Sequence, residues 1–201
     1  MIKKIIQKIV HIFVGSKRFI TVQLNDRIGP IDRGLTYEDP LDDFLKRNAY
    51  GQVVGGGTFQ NKSGEIVGCD IQIELSSNGN NKPSIHNILD MFVELGAPKG
   101  SKLIFEDSQK EIEFGHLEGI AIYIDGKNLP ESVYAESDIN YVIAELNQIL
   151  GYNGIASRNW QSSEWTALYY YGESFSEMTK RIDAFLKTYP LCEGAKVEQI
   201  S

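Results

Sequence analysis

The sequence predicts an α+β fold made of two successive βαββαβ units. Short segments that alternate with a period of two predict strands, and longer segments with apolar residues at helical spacing predict helices. The order strand, helix, strand, strand, helix, strand occurs twice, in residues 18–115 and in residues 116–201. Such internal repetition suggests duplication of one unit. A single irregular α+β domain is the alternative interpretation.

The first unit begins with a strand and a helix. Side chains in residues 18–26 alternate between an apolar and a more polar face, which predicts a strand with one buried face. Residues 37–50 predict a helix with acidic residues in its first turn. Pro40 lies near its start, where a missing amide proton costs least.

A hairpin, a second helix and a last strand complete the first unit. Residues 53–59 and 65–75 predict paired strands, because the intervening QNKSG supplies a turn. A helix around residues 85–93 is stopped by GAPKG, and residues 101–107 predict the closing strand. In the strand 65–75 one face is expected to be buried and the other polar. The buried set is Val67, Cys69, Ile71, Ile73 and Leu75, and the polar set is Asp70, Gln72 and Glu74.

The second unit repeats this order. Residues 119–125 predict a strand, and residues 138–151 predict a helix that Gly151 ends. A hairpin with strands at residues 155–161 and 165–172 follows. A helix is then predicted at residues 175–189 and a final strand at residues 195–200.

This element order resembles the ferredoxin-like superfold taken twice, as in bacterial proteins built that way. The resemblance covers residues 19–201 and is one of pattern, without a diagnostic motif. It implies antiparallel sheets with strand order 4-1-3-2 and both helices of a unit on one sheet face. A likeness at the level of the fold does not carry a function with it.

A leader of residues 1–17 precedes both units and predicts an amphipathic basic helix, because its isoleucines lie at helical spacing opposite its lysines. It is too short and too charged to span a bilayer. Its apolar stripe is expected to pack on the body or on a second copy, which would give a homodimer. Contact with a membrane surface is the alternative.

The distribution of charge excludes nucleic acid as a partner. Five basic residues and no acidic ones lie in residues 1–18, so the rest of the chain carries a formal charge of −12, against −7 for the whole. Nucleic-acid binding normally needs a basic stripe, whereas an acidic surface suits a basic protein partner. Two cysteines, Cys69 and Cys192, are too few for a disulfide framework and fit a cytoplasmic location.

Three consecutive glycines, Gly55, Gly56 and Gly57, lie in the second predicted strand. A phosphate-binding loop would place its glycines before a helix, but here another strand follows. We therefore expect the glycines to permit a β-bulge or the close approach of another backbone at a sheet edge.

Catalytic signatures are weak throughout. Glu113, His116 and Glu118 are close in sequence and would suit a metal-dependent hydrolase, but a single histidine is poor support for a metal site. Cys69 is predicted to lie in the core. At Cys192 an exposed thiol would have its pKa raised by the neighbouring Glu193, which disfavours a reactive thiolate. We expect no catalytic residue, no cofactor and no metal, so enzymatic activity is disfavoured.

The surface then carries the functional prediction. Strand residues out of phase with the core form an acidic strip in the first unit and an aromatic strip in the second. The predicted partner-binding residues are Asp70, Gln72, Glu74, Tyr123, Trp165, Tyr169 and Tyr171. Burial of the aromatic strip, under the leader or between the two sheets, is the competing interpretation.

The sequence leaves three candidate functions. The first is a non-enzymatic, immunity-like or inhibitory protein that binds a basic, toxin-like partner. Its aromatic side chains would supply local affinity, and its acidic side chains would steer the encounter with the partner. The alternative is a regulatory small-molecule binder similar to tandem ACT-like sensors, with its ligand at the junction of the units. The third is the metal-dependent hydrolase.

Overall fold

The computed structural model describes residues 18–151 and 158–201. The predicted leader helix and residues 155–157 of a predicted strand lie outside these ranges. Within them the chain is an α+β protein with two antiparallel sheets and several helices, so the predicted fold class is confirmed at this level.

The first sheet has five strands in the order β2-β3-β1-β4-β5, and each neighbouring pair is antiparallel. Its strands are β1 (Arg18–Leu24), β2 (Gly51–Gln60), β3 (Ile66–Leu75), β4 (Ser101–Phe105) and β5 (Glu111–Phe114). The sequence did not predict β5, because only Ile112 and Phe114 give it an apolar face. It forms by hairpin pairing with β4, after a turn in which Gln109 adopts a φ of 55°.

The first helical segment begins earlier than predicted. It runs through α1 (Pro30–Arg33), a π-helical turn (Gly34–Glu38) and α2 (Asp39–Arg47). The Asp39 amide donates to the Gly34 carbonyl, an i to i+5 bond, immediately before Pro40. Because proline lacks an amide proton and its ring crowds the preceding turn of a regular helix, the wider π turn accommodates Pro40.

The next helix, α3 (Lys82–Glu94), is capped by the Asn81 side chain, which accepts from the Ser84 amide. It packs with α2 on one face of the first sheet. The core between these layers includes Ile20, Val22, Leu41, Leu45, Ile71, Ile73, Ile88 and Phe92.

The second sheet has the strand order β7-β8-β6-β9, again with antiparallel neighbours. Its strands are β6 (Glu118–Asp125), β7 (Asn159–Gln161), β8 (Trp165–Gly172) and β9 (Lys196–Gln199). The helices are α4 (Glu131–Glu136), α5 (Ile139–Leu150) and α6 (Phe175–Thr188), and a 3-10 turn (Pro190–Cys192) precedes β9. The sequence did not predict the short α4, because its six residues are too few to show helical periodicity. A second core forms between this sheet and α5 and α6.

One predicted side-chain position differs in the structure. Val67 is 40% exposed instead of buried, because the β2–β3 register shifts between Phe59 and Gln60 and interrupts the alternation of β3. Cys192 is buried, because the 3-10 turn folds it into the second core. No helix among the described residues is long and apolar enough to cross a membrane.

Candidate functional site

We call each sheet together with the helices packed on it a unit. The two units meet where one end of the first sheet contacts the helix-free face of the second. We call these helix-free faces the open face of the first sheet and the open face of the second sheet. Asp26 and Arg27 follow β1, and Glu65 precedes β3. The contact places Asp26 against Arg158, and it places Arg27 and Glu65 against tyrosines of the second sheet. Two ionic clusters result.

The Asp26 cluster is the more buried of the two. Asp26 is 0% exposed, and Arg158 binds it through two parallel hydrogen bonds, from Nε at 2.8 Å and from Nη2 at 2.9 Å. The Tyr37 hydroxyl donates to the same carboxylate at 2.7 Å, and the Arg158 guanidinium lies 5.3 Å from the centre of the Tyr171 ring. Such fork-to-fork geometry gives strong, directional pairing.

The Glu65 cluster joins both units through one carboxylate. Tyr123 and Tyr169 of the second sheet donate to its Oε1 at 2.7 and 2.8 Å, and Arg27 forms an ion pair with the same atom. Asn61 donates to Oε2 at 2.9 Å. Burial acts to raise the pKa of Glu65, but the two tyrosine hydrogen bonds and the charge of Arg27 together lower it. Glu65 is therefore an anion near pH 7, and both units share it.

The predicted aromatic strip lies largely within this junction. Tyr169 and Tyr171 are buried, and Tyr123 is half-buried with its hydroxyl on Glu65. Trp165, at the other end of the strip, is half-buried and lies 4.0 Å from the Lys196 ammonium. Tyr169 and Tyr171 are thus packed between the two units and are not accessible to a partner.

Burial also fixes the ionisation of these tyrosines. It raises the pKa of Tyr169 and Tyr171, and together with the hydrogen bond to Glu65 it raises the pKa of Tyr123 to about 12. All three hydroxyls are thus neutral near pH 7, where Tyr123 and Tyr169 donate to the shared carboxylate. The strip holds the units together and presents no ionised phenol.

The open face of the first sheet remains accessible and is acidic. Strand pairing places Gln52, Asp70, Gln72 and Glu74 on this face together with residues of β1, β4 and β5. The acidic side chains on it are Asp70, Glu74, Glu106, Glu111 and Glu113. Lys102 is a basic residue on the same face, and its ammonium donates to Glu111 Oε2 at 2.9 Å.

The glycine-containing strand β2 lies at the edge of the first sheet, and its pairing register shifts between Val53 and Gly55. A side chain at Gly56 would come within 2.7 Å of the Asp70 carbonyl oxygen and 2.8 Å of Glu38 Oε1. The atoms closest to this position belong to the same chain. They lie in a neighbouring strand and in a side chain of the π-helical turn.

Arg33 is buried and binds β2 from the helix side of the sheet. Its Nη1 donates to the Gly57 carbonyl at 2.6 Å and to the Thr58 hydroxyl at 2.8 Å, and its Nε donates to Glu38 at 2.6 Å. Small residues in β2 leave room for this guanidinium on the helix side of the sheet.

The two carboxylates considered for metal binding have other partners. Glu118 accepts from the Phe175 amide at 2.8 Å and pairs with Lys99 at 3.0 Å, while Glu113 lies on the open face of the first sheet, 3.9 Å from Lys102. His116 is exposed. In residues 18–151 and 158–201, no group of three or more His, Cys, Asp and Glu side chains is placed to hold a metal ion.

The two thiols are poor nucleophiles. Both Cys69 and Cys192 are buried and free. Burial raises the pKa of Cys69, and it raises the pKa of Cys192 to about 11, so both are protonated near pH 7.

Sequence reasoning missed the four charged residues of the junction, Asp26, Arg27, Glu65 and Arg158. A signal existed for one of them. Asp26 continues the alternation of Ile20, Val22 and Leu24, and a carboxylate in a core-facing phase needs a buried partner. The partner itself, Arg158, is distant in sequence and has no local signature.

The fold and the site together define an α+β protein whose two antiparallel sheets share a buried ionic junction. The chain matches no model of a known protein family, and it matches no curated protein.

Proposed function

We propose that this chain is a non-enzymatic binding protein, of the immunity-like or inhibitory kind, that holds a basic protein partner on the open face of the first sheet. The observation that carries the proposal is the accessible acidic surface of that face. A cytoplasmic location belongs to the same proposal, since both free thiols suit a reducing compartment.

The underlying architecture in this proposal is a pair of ferredoxin-like units. The order β2-β3-β1-β4 in the first sheet and the order β7-β8-β6-β9 in the second both correspond to the 4-1-3-2 arrangement that the resemblance implies. Helices on one face of each sheet support the same interpretation. In the first unit this arrangement leaves a broad strand surface available for contact.

Electrostatics support a basic partner. Carboxylates on the open face of the first sheet outnumber its lysine, and Lys102 is already paired with Glu111. Acidic surfaces of this kind steer a basic protein and reject acidic ones, and they raise the association rate at low salt.

Side chains suited to close contact lie among these acids. Phe19 and Ile104 are half-buried on the same face, and Gln23 and Gln72 are exposed beside them. Apolar groups surrounded by polar ones are the usual composition of a binding surface. Trp165, on the second sheet, is half-buried and keeps exposed area that can serve as an anchor.

The test uses the protein encoded by the adjacent gene. We expect that protein to be basic and toxic when expressed alone, and co-expression with this chain to restore growth. With the purified pair, the double variant Asp70→Lys, Glu74→Lys should weaken binding by about tenfold or more, mostly through slower association. Affinity should also fall as salt is raised.

A matched control makes the same change of charge elsewhere. Glu177→Lys with Asp183→Lys alters two exposed residues of α6, away from the open face of the first sheet, and should leave the affinity nearly unchanged. Equal weakening by both double variants, or an adjacent gene that encodes a non-binding biosynthetic enzyme, would refute the proposal.

The small-molecule alternative places its ligand at the junction of the two units. Protein groups fill the Asp26 and Glu65 clusters there, and the donors around both carboxylates belong to the chain itself. The open face of the first sheet is accessible, so the geometry favours the protein-binding function.

A further inference from the structure

The first unit contains a groove that the proposed function does not use. It lies between α3 and the β4–β5 hairpin and has a volume of about 710 Å³. Ile85 and Leu89 of α3 form one wall, and Phe105 and Ile112 of the hairpin form the floor. These hairpin residues are on the helix side of the sheet, whereas Glu111 and Glu113 point to the open face.

The apolar lining of this groove is an exposed continuation of the first core. Ile85 is buried, while Leu89, Phe105 and Ile112 pack against the core and remain only partly covered. The groove exists because β5 extends the sheet by one strand beyond β4. Concave apolar sites of about 300–1,000 Å³ with a few polar groups are the usual small-molecule sites of proteins.

The rim of the groove has the opposite charge to the open face of the first sheet. Arg18, Lys82 and Lys110 lie on it together with a single acid, Asp107, whose carboxylate is 3.7 Å from the Arg18 guanidinium. Among the described residues Lys82 and Lys110 form no ion pair. A local excess of positive charge is notable in a chain of net charge −7.

We propose that this groove binds an amphiphilic anion, in which an apolar chain lies along Leu89, Phe105 and Ile112 and a carboxylate meets Lys82 and Lys110. The apolar floor matches the chain, and the basic rim matches the head group. The inference does not rest on the proposed function, because it uses the other side of the sheet and a different class of ligand.

Charge complementarity selects this occupant over the leader. Residues 1–17, which precede Arg18 in the sequence, contain isoleucines that would suit the floor. They contain lysines and no acid, however, and so cannot supply the negative charge that the rim lacks.

The test is calorimetric titration of the full chain with sodium octanoate and sodium decanoate below their micelle concentrations, with octylamine as the control of opposite charge. Both carboxylates should bind at one site, and decanoate should bind about tenfold or more tightly than octanoate, since each buried methylene tightens binding about fourfold. Octylamine should bind at least about tenfold more weakly than octanoate.

Variants locate the site. Lys82→Glu with Lys110→Glu should weaken decanoate binding by about tenfold or more, and Leu89→Asn should remove most of the dependence on chain length. Lys180→Glu with Lys187→Glu, on α6, makes the same change of charge on exposed residues and should leave binding unchanged. A thermal melt of each variant shows that it is folded.

Three outcomes would overturn the proposal. The first is the absence of binding of either carboxylate to the full chain. The second is an affinity that is the same for octanoate and octylamine, or that is unchanged by the Lys82→Glu, Lys110→Glu substitution. The third is binding that appears only after Ile5→Asp and Ile9→Asp substitution, because the leader would then be the occupant.

Discussion

At the scale of single residues, the chain depends on a few carboxylates that each satisfy several donors. Glu65 accepts from Tyr123, Tyr169 and Asn61 and pairs with Arg27, so it connects the two units through one side chain. Removing one member of a buried charged network leaves the others desolvated without a partner, which costs more than the hydrogen bond itself.

We therefore predict that Glu65→Gln lowers the free energy of unfolding by about 2 kcal/mol. Glutamine keeps the shape but loses the charge that Arg27 needs. Chemical denaturation measures the change. The control is Glu164→Gln, which breaks the exposed ion pair with Lys127 and should cost less than about 0.5 kcal/mol. Equal costs for the two variants would contradict the role assigned to Glu65.

The same residue predicts an acid-side pH dependence. The folded-state pKa of Glu65 is lowered. Its ionised form therefore contributes to the free energy of unfolding in full above pH 4.5, the ordinary pKa of a glutamate, and this contribution is lost as the pH falls through the folded-state pKa. Stability measured from pH 6 downwards should fall less steeply below pH 4.5 in Glu65→Gln than in the wild type. Parallel curves would exclude this coupling.

Gly56 gives a second prediction at this scale. An added methyl group would come within 2.7 Å of the Asp70 carbonyl oxygen, and this backbone atom cannot move without disturbing the β2–β3 pairing. Gly56→Ala should destabilise the fold by about 1–3 kcal/mol. At the adjacent Gly55 the nearest atom is 4.0 Å away, so Gly55→Ala is the control and should be tolerated. Thermal unfolding compares the two, and similar melting temperatures would disprove the steric argument.

At the scale of elements, the sequence predicted the segments that have strong periodicity and missed those that depend on pairing or local strain. The strand β1 and the helices α3 and α6 have apolar residues at regular spacing, and each lies where the sequence predicted it. The short β5 has two apolar residues and exists through its partner β4. The π-helical turn reflects a conflict between Pro40 and regular helix geometry, which periodicity does not report.

The link between the first helical segment and β2 depends on Arg33. We predict that Arg33→Met, which keeps the aliphatic length, destabilises the protein by about 2 kcal/mol and opens the edge strand locally. The Gly57 carbonyl, the Thr58 hydroxyl and the Glu38 carboxylate all lose their donor. Amide hydrogen exchange in β2 should accelerate more than exchange in β1.

Arg47→Met is the matched control for this experiment. Arg47 is exposed and donates to the Asp43 carbonyl of its own helix, so its loss should leave exchange in β2 unchanged. Uniform acceleration in both strands of the Arg33→Met variant would indicate a global effect and would contradict a specific anchor.

At the scale of the whole molecule, the sequence predicted two successive sets of elements but not the way in which they join. The tyrosines at 123, 169 and 171 were predicted to share a face, and they do. Whether these tyrosines are accessible to a partner depends on what covers that face. Arg27, Glu65 and Arg158 cover it. Contacts between residues so far apart in sequence have no local pattern, which is why the open face of the first sheet was predictable and the junction was not.

The last prediction concerns cooperativity between the two cores. Asp26 follows β1 of the first unit, and it holds Arg158 of the second and Tyr37 of the first. Asp26→Asn should cost about 3–4 kcal/mol, because Arg158 keeps its charge without a counter-ion. If the junction couples the two cores, calorimetry should show one transition for the wild type and two for the variant.

The matched control is Asp183→Asn, which removes a carboxylate from an exposed ion pair with Lys187 on α6 and should preserve the wild-type transition. A single, merely shifted transition in Asp26→Asn would mean that the remaining contacts, including the Glu65 cluster, are enough to keep the units cooperative. Combining Asp26→Asn with Glu65→Gln then separates the two clusters. If both carry the coupling, the double variant unfolds in two steps even where each single variant unfolds in one, since groups that share an interface are not additive.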